Sequence, residues 1–164
     1  MAMVIAVTAG PARAGLLDWL GDLVDPGITS VSADDLRLFQ QRAEQGDPEA
    51  HLALGTVHEK GLGVPQSWSK AHQHYNLALA LSSKGAVGDD IRSAARKRLE
   101  RVEEKMGTAQ IAEAQMQAAD WMESFQRRRK AEALAESGKR MLDEGSTRVR
   151  AALDGFWSGL SGKK

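Results

Sequence analysis

Cysteine is missing from this chain of 164 residues, tyrosine occurs once, phenylalanine three times and proline four times. Without cysteine there is no disulfide framework, no thiolate metal site and no thiol nucleophile, although the compartment stays open because many exported proteins lack disulfides. Aromatic and β-branched residues, which favour strands, are sparse. Neither sign of charge is in excess: lysine plus arginine number 22, and so do aspartate plus glutamate. No global field therefore steers the chain to nucleic acid or to an anionic membrane, and charge-driven binding has to be local. Apolar runs are also short, none approaching the roughly 20 residues of a membrane-spanning helix. What is plentiful is alanine, leucine, glutamate, glutamine, arginine and lysine, the strong helix formers. The expectation is an all-α protein with one domain and tails.

The N-terminal stretch requires its own reading. Met1 to Gly10 is uncharged and mostly apolar, and Ala12 and Ala14 then form an A-x-A cleavage pattern. No basic segment precedes the run, so residues 1–14 read either as a secretory signal shortened at its start or as a tail. The first reading implies a periplasmic or secreted protein, the second a cytoplasmic one. Leu16, Leu17, Trp19, Leu20, Leu23 and Val24 then cluster before Pro26-Gly27, and residues 15–31 are expected to dock as a cap.

Helix signals start at Ser32, an N-cap residue followed by Asp34 and Asp35 near the positive end of the dipole, with Leu36, Phe39 and Ala43 at helical spacing. Asp47 is placed to cap the next helix, with Pro48 at its tolerated first position. Within Pro48 to Lys60 an apolar stripe carries Ala50, Leu54 and Val57, and Ala53 and Gly55 beside it leave room for a partner helix. Gly61-Leu62-Gly63-Val64-Pro65 reads as a turn, Ser67 as the next N-cap, and Ala71, Tyr75, Ala78 and Leu79 as the facing helix. This predicts an antiparallel helical hairpin.

The spacing of Ala43, Gly46, Asp47, Pro48, Glu49, Ala50, Leu54 and Gly55, then His58, Gly61, Gly63 and Val64, then Lys70, Ala71, Tyr75 and Ala78, resembles one repeat of the Sel-one-like family. That family, of bacterial type here, is a relative of the tetratricopeptide repeats. His58 stands where an aromatic is usual, and Ser67-Trp68 where an acidic residue followed by an aromatic is usual. Asp89 to Trp121, with Ile111 to Gln115 inside it, is similar to the segment that closes bacterial members. The resemblance covers about half of the chain and implies a short α/α solenoid of antiparallel hairpins over residues 32–125. Only one full repeat is visible, and about three units are needed to bury a continuous core. Flanking helices, Asp34 to Gln45 before the repeat, Asp90 to Met106 after it, and one that Thr108 caps, are expected to supply the missing layers.

Beyond Gln126 the character changes. Arg127 to Lys130 is a basic cluster, and Leu134, Met141, Leu142, Val149, Leu153, Phe156 and Leu160 recur on a charged background. Residues 126–164 therefore read as a long amphipathic C-terminal helical arm, weakened at Gly138 and Gly145 by about 1 kcal/mol each relative to alanine.

Little of this pattern points to chemistry. Histidines 51, 58, 72 and 74 lack an H-E-x-x-H or converging carboxylates, so no metal is expected. Gly61-Leu62-Gly63 has neither the preceding strand of a dinucleotide site nor the lysine of a phosphate loop. No G-x-S-x-G elbow is present, Ser67-Trp68-Ser69-Lys70 is not expected to supply an S-x-x-K nucleophile, and Ser67 reads as a helix cap. Glu100, Glu103, Glu104 and Glu113 read as solvated faces paired at i, i+4 with Arg96, Lys97 and Arg101. Acidic Glu123, Glu132 and Glu136 flank the basic cluster, which argues against nucleic acid. Neither a catalytic residue nor a cofactor is expected. The resemblance implies instead a scaffold that holds a protein or peptide in a groove, with His51, Thr56, His58, Glu59, His72 and Tyr75 as its partner-binding residues. Self-association or membrane contact through the arm is the alternative, and its mixed charge favours docking on protein over lipid.

Overall fold

The structure is a computed structural model that describes residues 30–161, with side chains as far as residue 155. The expected signal or tail (1–14) and the apolar cluster Leu16 to Val24 lie outside the described residues, as do the side chains of Phe156, Trp157 and Leu160. Every element in the described residues is helical: α1 (Ala33–Glu44), α2 (Pro48–Lys60), α3 (Trp68–Leu81), α4 (Ala86–Glu103) and α5 (Thr108–Ser161). The protein is all-α.

The caps explain why the helices start where they do. Ser32 Oγ accepts from Asp35 N–H at 3.0 Å, and Asp47 Oδ1 accepts from Glu49 and Ala50 N–H. Ser67 Oγ accepts from Lys70 N–H at 3.3 Å. At the end of α2, Gly61 takes the left-handed conformation, φ 69° and ψ 39°, which releases the chain into the turn that α3 follows. α4 begins at Ala86, four residues ahead of the expected Asp90, because Gly85 at φ 130° turns the chain in and Asp89 N–H already bonds Gly85 C=O at 2.8 Å. The start of α5 also differs from expectation. Thr108 is its first helical residue, and Gln110 Oε1 accepts from Gly107 N–H at 3.0 Å, the side chain of the third residue closing the first turn.

The core of the first compact unit, which ends at Met122, is organised around α2. Rather than one apolar stripe, α2 buries nine of its thirteen residues, so other helices must cover it from several sides. Phe39 and Ala43 of α1, Tyr75 and Ala78 of α3, and Ile91, Ala95 and Val102 of α4 join Leu52, Leu54 and Val57 in a single apolar cluster. α3 runs back along α2, as His51 meeting His74 and Ser67 N–H bonding His58 C=O show. α4 then runs parallel to α2: Arg98 reaches Thr56 and Arg101 reaches Glu59, each across 42 residues.

The residues singled out for the repeat occupy structural positions. Ala43, Ala50, Leu54, Ala71 and Ala78 are buried, and Val64 packs against the core. Gly46, Gly61 and Gly63 have positive φ. Gly55 is a contact point between helices: a Cβ there would stand 2.5 Å from Tyr75 Cδ1, so the ring lies directly on the α2 backbone.

A second compact unit runs from Glu123 to the C-terminus. Its part of α5 is exposed almost throughout, and Leu134, Met141, Leu142, Val149 and Leu153 are each more than half exposed. Glycines 138, 145 and 155 lie within the helix without interrupting it. Within the basic cluster, Arg127 lies 3.7 Å from Glu123 and Arg129 over the Phe125 ring at 5.9 Å, both contacts within the same helix.

Candidate functional site

Two groups of polar side chains stand out, each with members on α2, and they face different neighbours. One is a buried network that ends in an open cleft toward α4. The other is a group of three imidazoles toward α3 and the first part of α5.

The network starts at Tyr75, which is fully buried and whose hydroxyl donates to Glu59 Oε2 and lies 3.4 Å from Thr56 Oγ1. Burial first, and the Glu59 carboxylate second, push the phenol well above its ordinary value, so it stays a donor. Thr56 Oγ1 donates to Leu52 C=O at 3.0 Å and accepts from Arg98 Nη1 at 2.8 Å. Glu59 Oε1 accepts from Arg101 Nε at 2.7 Å and lies 2.6 Å from Nη2. The Glu59 side chain is 8% exposed and that of Arg101 54% exposed, so the pair spans from core to surface. A carboxylate buried this far requires a partner, and two donors from different helices supply it.

Outside this network the surface between α2 and α4 opens into a cleft of about 530 Å³. Glu59 and Lys60 form its α2 wall. Asp90, Ser93, Ala94, Lys97, Arg98 and Arg101 form its α4 wall. A second cleft of about 510 Å³ shares Ser93 and Lys97 and continues along α4 past Asp89, Arg92, Arg96 and Glu100. An apolar hollow of about 370 Å³ lies between α3 and α5, among Leu77, Leu79, Ala118 and Met122.

The imidazole group comprises His51, His58 and His74. His51 Nδ1 and His74 Nδ1 are 3.1 Å apart, which requires one of the two to be protonated at Nδ1 and the other to accept there. The His58 and His74 rings stack with centroids 5.7 Å apart and planes at 3°, and the Trp121 ring of α5 meets His51 edge-on at 4.8 Å. His51 Nε2 and His58 Nδ1 are buried without a well-formed hydrogen bond among the described residues, although the Ala43 backbone acts on His51 and the Pro65 backbone on His58 to raise their basicities slightly. Burial chiefly lowers all three basicities, that of His51 to about 4 and that of His74 to about 3. Like charge from His51, His58 and Lys70 depresses His74 further, while Asp47 opposes the shift at His51. Among the described residues no three histidines or carboxylates are arranged to hold a metal ion. His72 belongs to neither group: Asn76 Nδ2 donates to its Nδ1 at 3.0 Å, so Nε2 carries the proton toward Glu103 Oε1 at 3.0 Å.

Of the six residues expected to line a groove, Glu59 lines the α2/α4 cleft, and most of the others are buried. Thr56, His72 and Tyr75 are fully buried, His51 is 1% and Glu59 7% exposed, and His58 is half-buried. The expectation took the inward face of α2 to be open, but α4 covers Thr56 and Glu59 with Arg98 and Arg101, while α3 and Trp121 cover His51. The i, i+4 pairing expected for Arg101 is replaced by its ion pair with Glu59. Arg98, Arg101 and Lys97 are the residues that sequence reasoning missed. No local sequence signal marks them, since Arg98 and Arg101 meet Thr56 and Glu59 only across 42 residues, and all three sit on a charged helix face. Ser67 and Lys70 do share the S-x-x-K spacing of some serine acyl-enzymes, but the Ser67 hydroxyl is engaged as a helix cap.

Comparison with protein-family models gave no match, and comparison with curated proteins and with solved structures gave none either.

Proposed function

We propose that this protein is a non-enzymatic adaptor that seats a segment of a protein partner in the cleft between α2 and α4. The observation that carries this reading is the pair Arg98 and Arg101, anchored from behind on the buried Thr56 and Glu59 yet lining an open cleft of about 530 Å³. Fixed side chains at an open surface are what binding anchors require, since their rotamer freedom is already lost before a partner arrives. The Sel-one-like resemblance is consistent with this reading, because in that family a groove lined by the first helices of successive hairpins holds the partner.

Co-purification of partners by the full chain, compared with Lys97→Glu in the cleft and Leu153→Glu on the arm, tests the proposal. Loss of a specific partner with the first substitution and its retention with the second is the expected result; retention with both removes the cleft from function.

A second reading has its own observation. Five large apolar side chains more than half exposed on one charged helix, from Leu134 to Leu153, are an unusual load of apolar surface, and covering them with another copy of the arm would make the protein a self-assembling one. Sedimentation of the full chain over a concentration series distinguishes the two, because a purely monomeric protein leaves only the adaptor.

A further inference from the structure

We infer that the α2/α4 cleft takes an acidic protein segment whose carboxylates, one helical turn apart, sit on the guanidinium groups of Arg98 and Arg101. This rests on the adaptor reading and names the chemistry of its partner. Each guanidinium carries five N–H donors in a rigid fork. Arg98 uses Nη1 on Thr56, and Arg101 uses Nε and Nη2 on Glu59. The remaining edges have no acceptor among the described residues, and both line the cleft. A carboxylate is the group whose geometry matches such an edge. Arg98 and Arg101 are three residues apart on α4, a separation of about 5–6 Å between neighbouring side-chain roots, and carboxylates at i and i+3 or i+4 of a partner helix have the same spacing. Lys97, on the same wall and shared with the adjoining cleft, makes no ion pair among the described residues and adds an attractive charge at the rim.

The same surface disfavours a nucleic acid. Asp90 faces the cleft, and Asp89 and Glu100 stand among the arginines of its continuation, so a strand with a phosphate at every residue would meet repulsion as well as attraction. No aromatic side chain lines either cleft to stack on a base. A peptide instead alternates: it can place carboxylates on the arginines and offer an N–H or a lysine to Asp90. The small walls at Ser93 and Ala94 let its backbone approach closely.

The test is fluorescence anisotropy with the full chain and a labelled alanine-rich helical peptide bearing glutamates at i and i+4, against its glutamine counterpart and a labelled thymidine oligonucleotide. Expected is binding of the glutamate peptide, at least about tenfold weaker for the glutamine form, weakened by salt and weakened again by Lys97→Glu. That exposed lysine has no packing role, so the variant folds, and circular dichroism verifies it. Equal affinity for the two peptides, indifference to Lys97→Glu, or preference for the oligonucleotide overturns the inference. If the glutamate peptide fails while Lys97→Glu still abolishes partner co-purification, the acidic chemistry falls and the adaptor reading stands; if co-purification also survives that substitution, both fall.

Discussion

Mild acid should destabilise this fold through His51 and its neighbours before carboxylate titration begins. His51 is 1% exposed, and burial lowers its basicity from 6.5 to about 4. Because the folded value lies below the unfolded one, the neutral ring's contribution is fully present above about pH 6.5 and is lost as pH falls toward 4. Between about pH 7.5 and pH 5 the unfolded chain takes up a proton that the folded chain refuses, which costs about 2 kcal/mol for His51 alone. His74, held lower still at about 3, adds to this in the same direction, up to a similar amount if the two act independently. Their 3.1 Å contact makes that an upper limit, since the two rings titrate as a coupled pair and not independently. Glu49 acts with the opposite sign. Burial raises its value above 4.5, so its contribution grows as pH falls, but in a lower range. Against a typical total stability of roughly 5–15 kcal/mol the histidine effect is large. Urea unfolding followed by circular dichroism at steps from pH 7.5 down to 5 should show a falling midpoint, with His51→Leu flattening the dependence. A midpoint constant across that range, or a His51 imidazole resonance titrating near 6.5 in the folded protein, would refute the reasoning.

Three further outcomes follow from the core. Gly55→Ala should lower stability by about 1–3 kcal/mol, because the new methyl overlaps the Tyr75 ring and neither helix can retreat without opening the apolar cluster; thermal unfolding measures it. Tyr75→Phe leaves the packing intact but removes a donor from the buried Glu59 carboxylate, a loss of about 1.5–3 kcal/mol that chemical denaturation should show as a shifted midpoint with an unchanged slope. Asp47→Ala should cost about 1–2 kcal/mol as an N-cap, since it frees Glu49 and Ala50 N–H as well as Arg42, whose Nε lies 2.6 Å from Asp47 Oδ2; an equal stability for Asp47→Ala and wild type contradicts the capping role.

The hairpin was legible because its signals are local. Asp47 before Pro48, Gly61 at a positive φ and Ser67 ahead of Trp68 each act within a turn of themselves, and the structure uses each where the spacing put it. The start of α4 differs from the expected Asp90 because Gly85 turns the chain and the backbone bond from Asp89 N–H to Gly85 C=O opens the helix earlier. The site was mostly illegible for a different reason. Whether Thr56 and Glu59 face solvent depends on where α4 lies, and nothing near them in sequence specifies that. Arg98 and Arg101 reveal it only through contacts 42 residues away. His74 was likewise one histidine among four until the return of α3 along α2 set its Nδ1 against that of His51.

The anchoring of the two arginines also limits what can bind between α2 and α4. A ligand that pulled Arg101 away from Glu59 would leave a carboxylate only 8% exposed with the Tyr75 hydroxyl as its remaining donor, and stripping one partner from a buried pair costs about 3–5 kcal/mol. That penalty exceeds what one new surface ion pair returns, typically 1 kcal/mol or about that. Productive ligands must therefore add to the existing bonds, using the outer guanidinium edges, rather than replace them. Arg98 is less constrained, because its acceptor is the neutral Thr56 hydroxyl, which keeps its own bond to Leu52 C=O if the arginine moves. Of the two, Arg98 is the less costly to displace from its anchor, and Arg101 the one that fixes the ligand's position along α4.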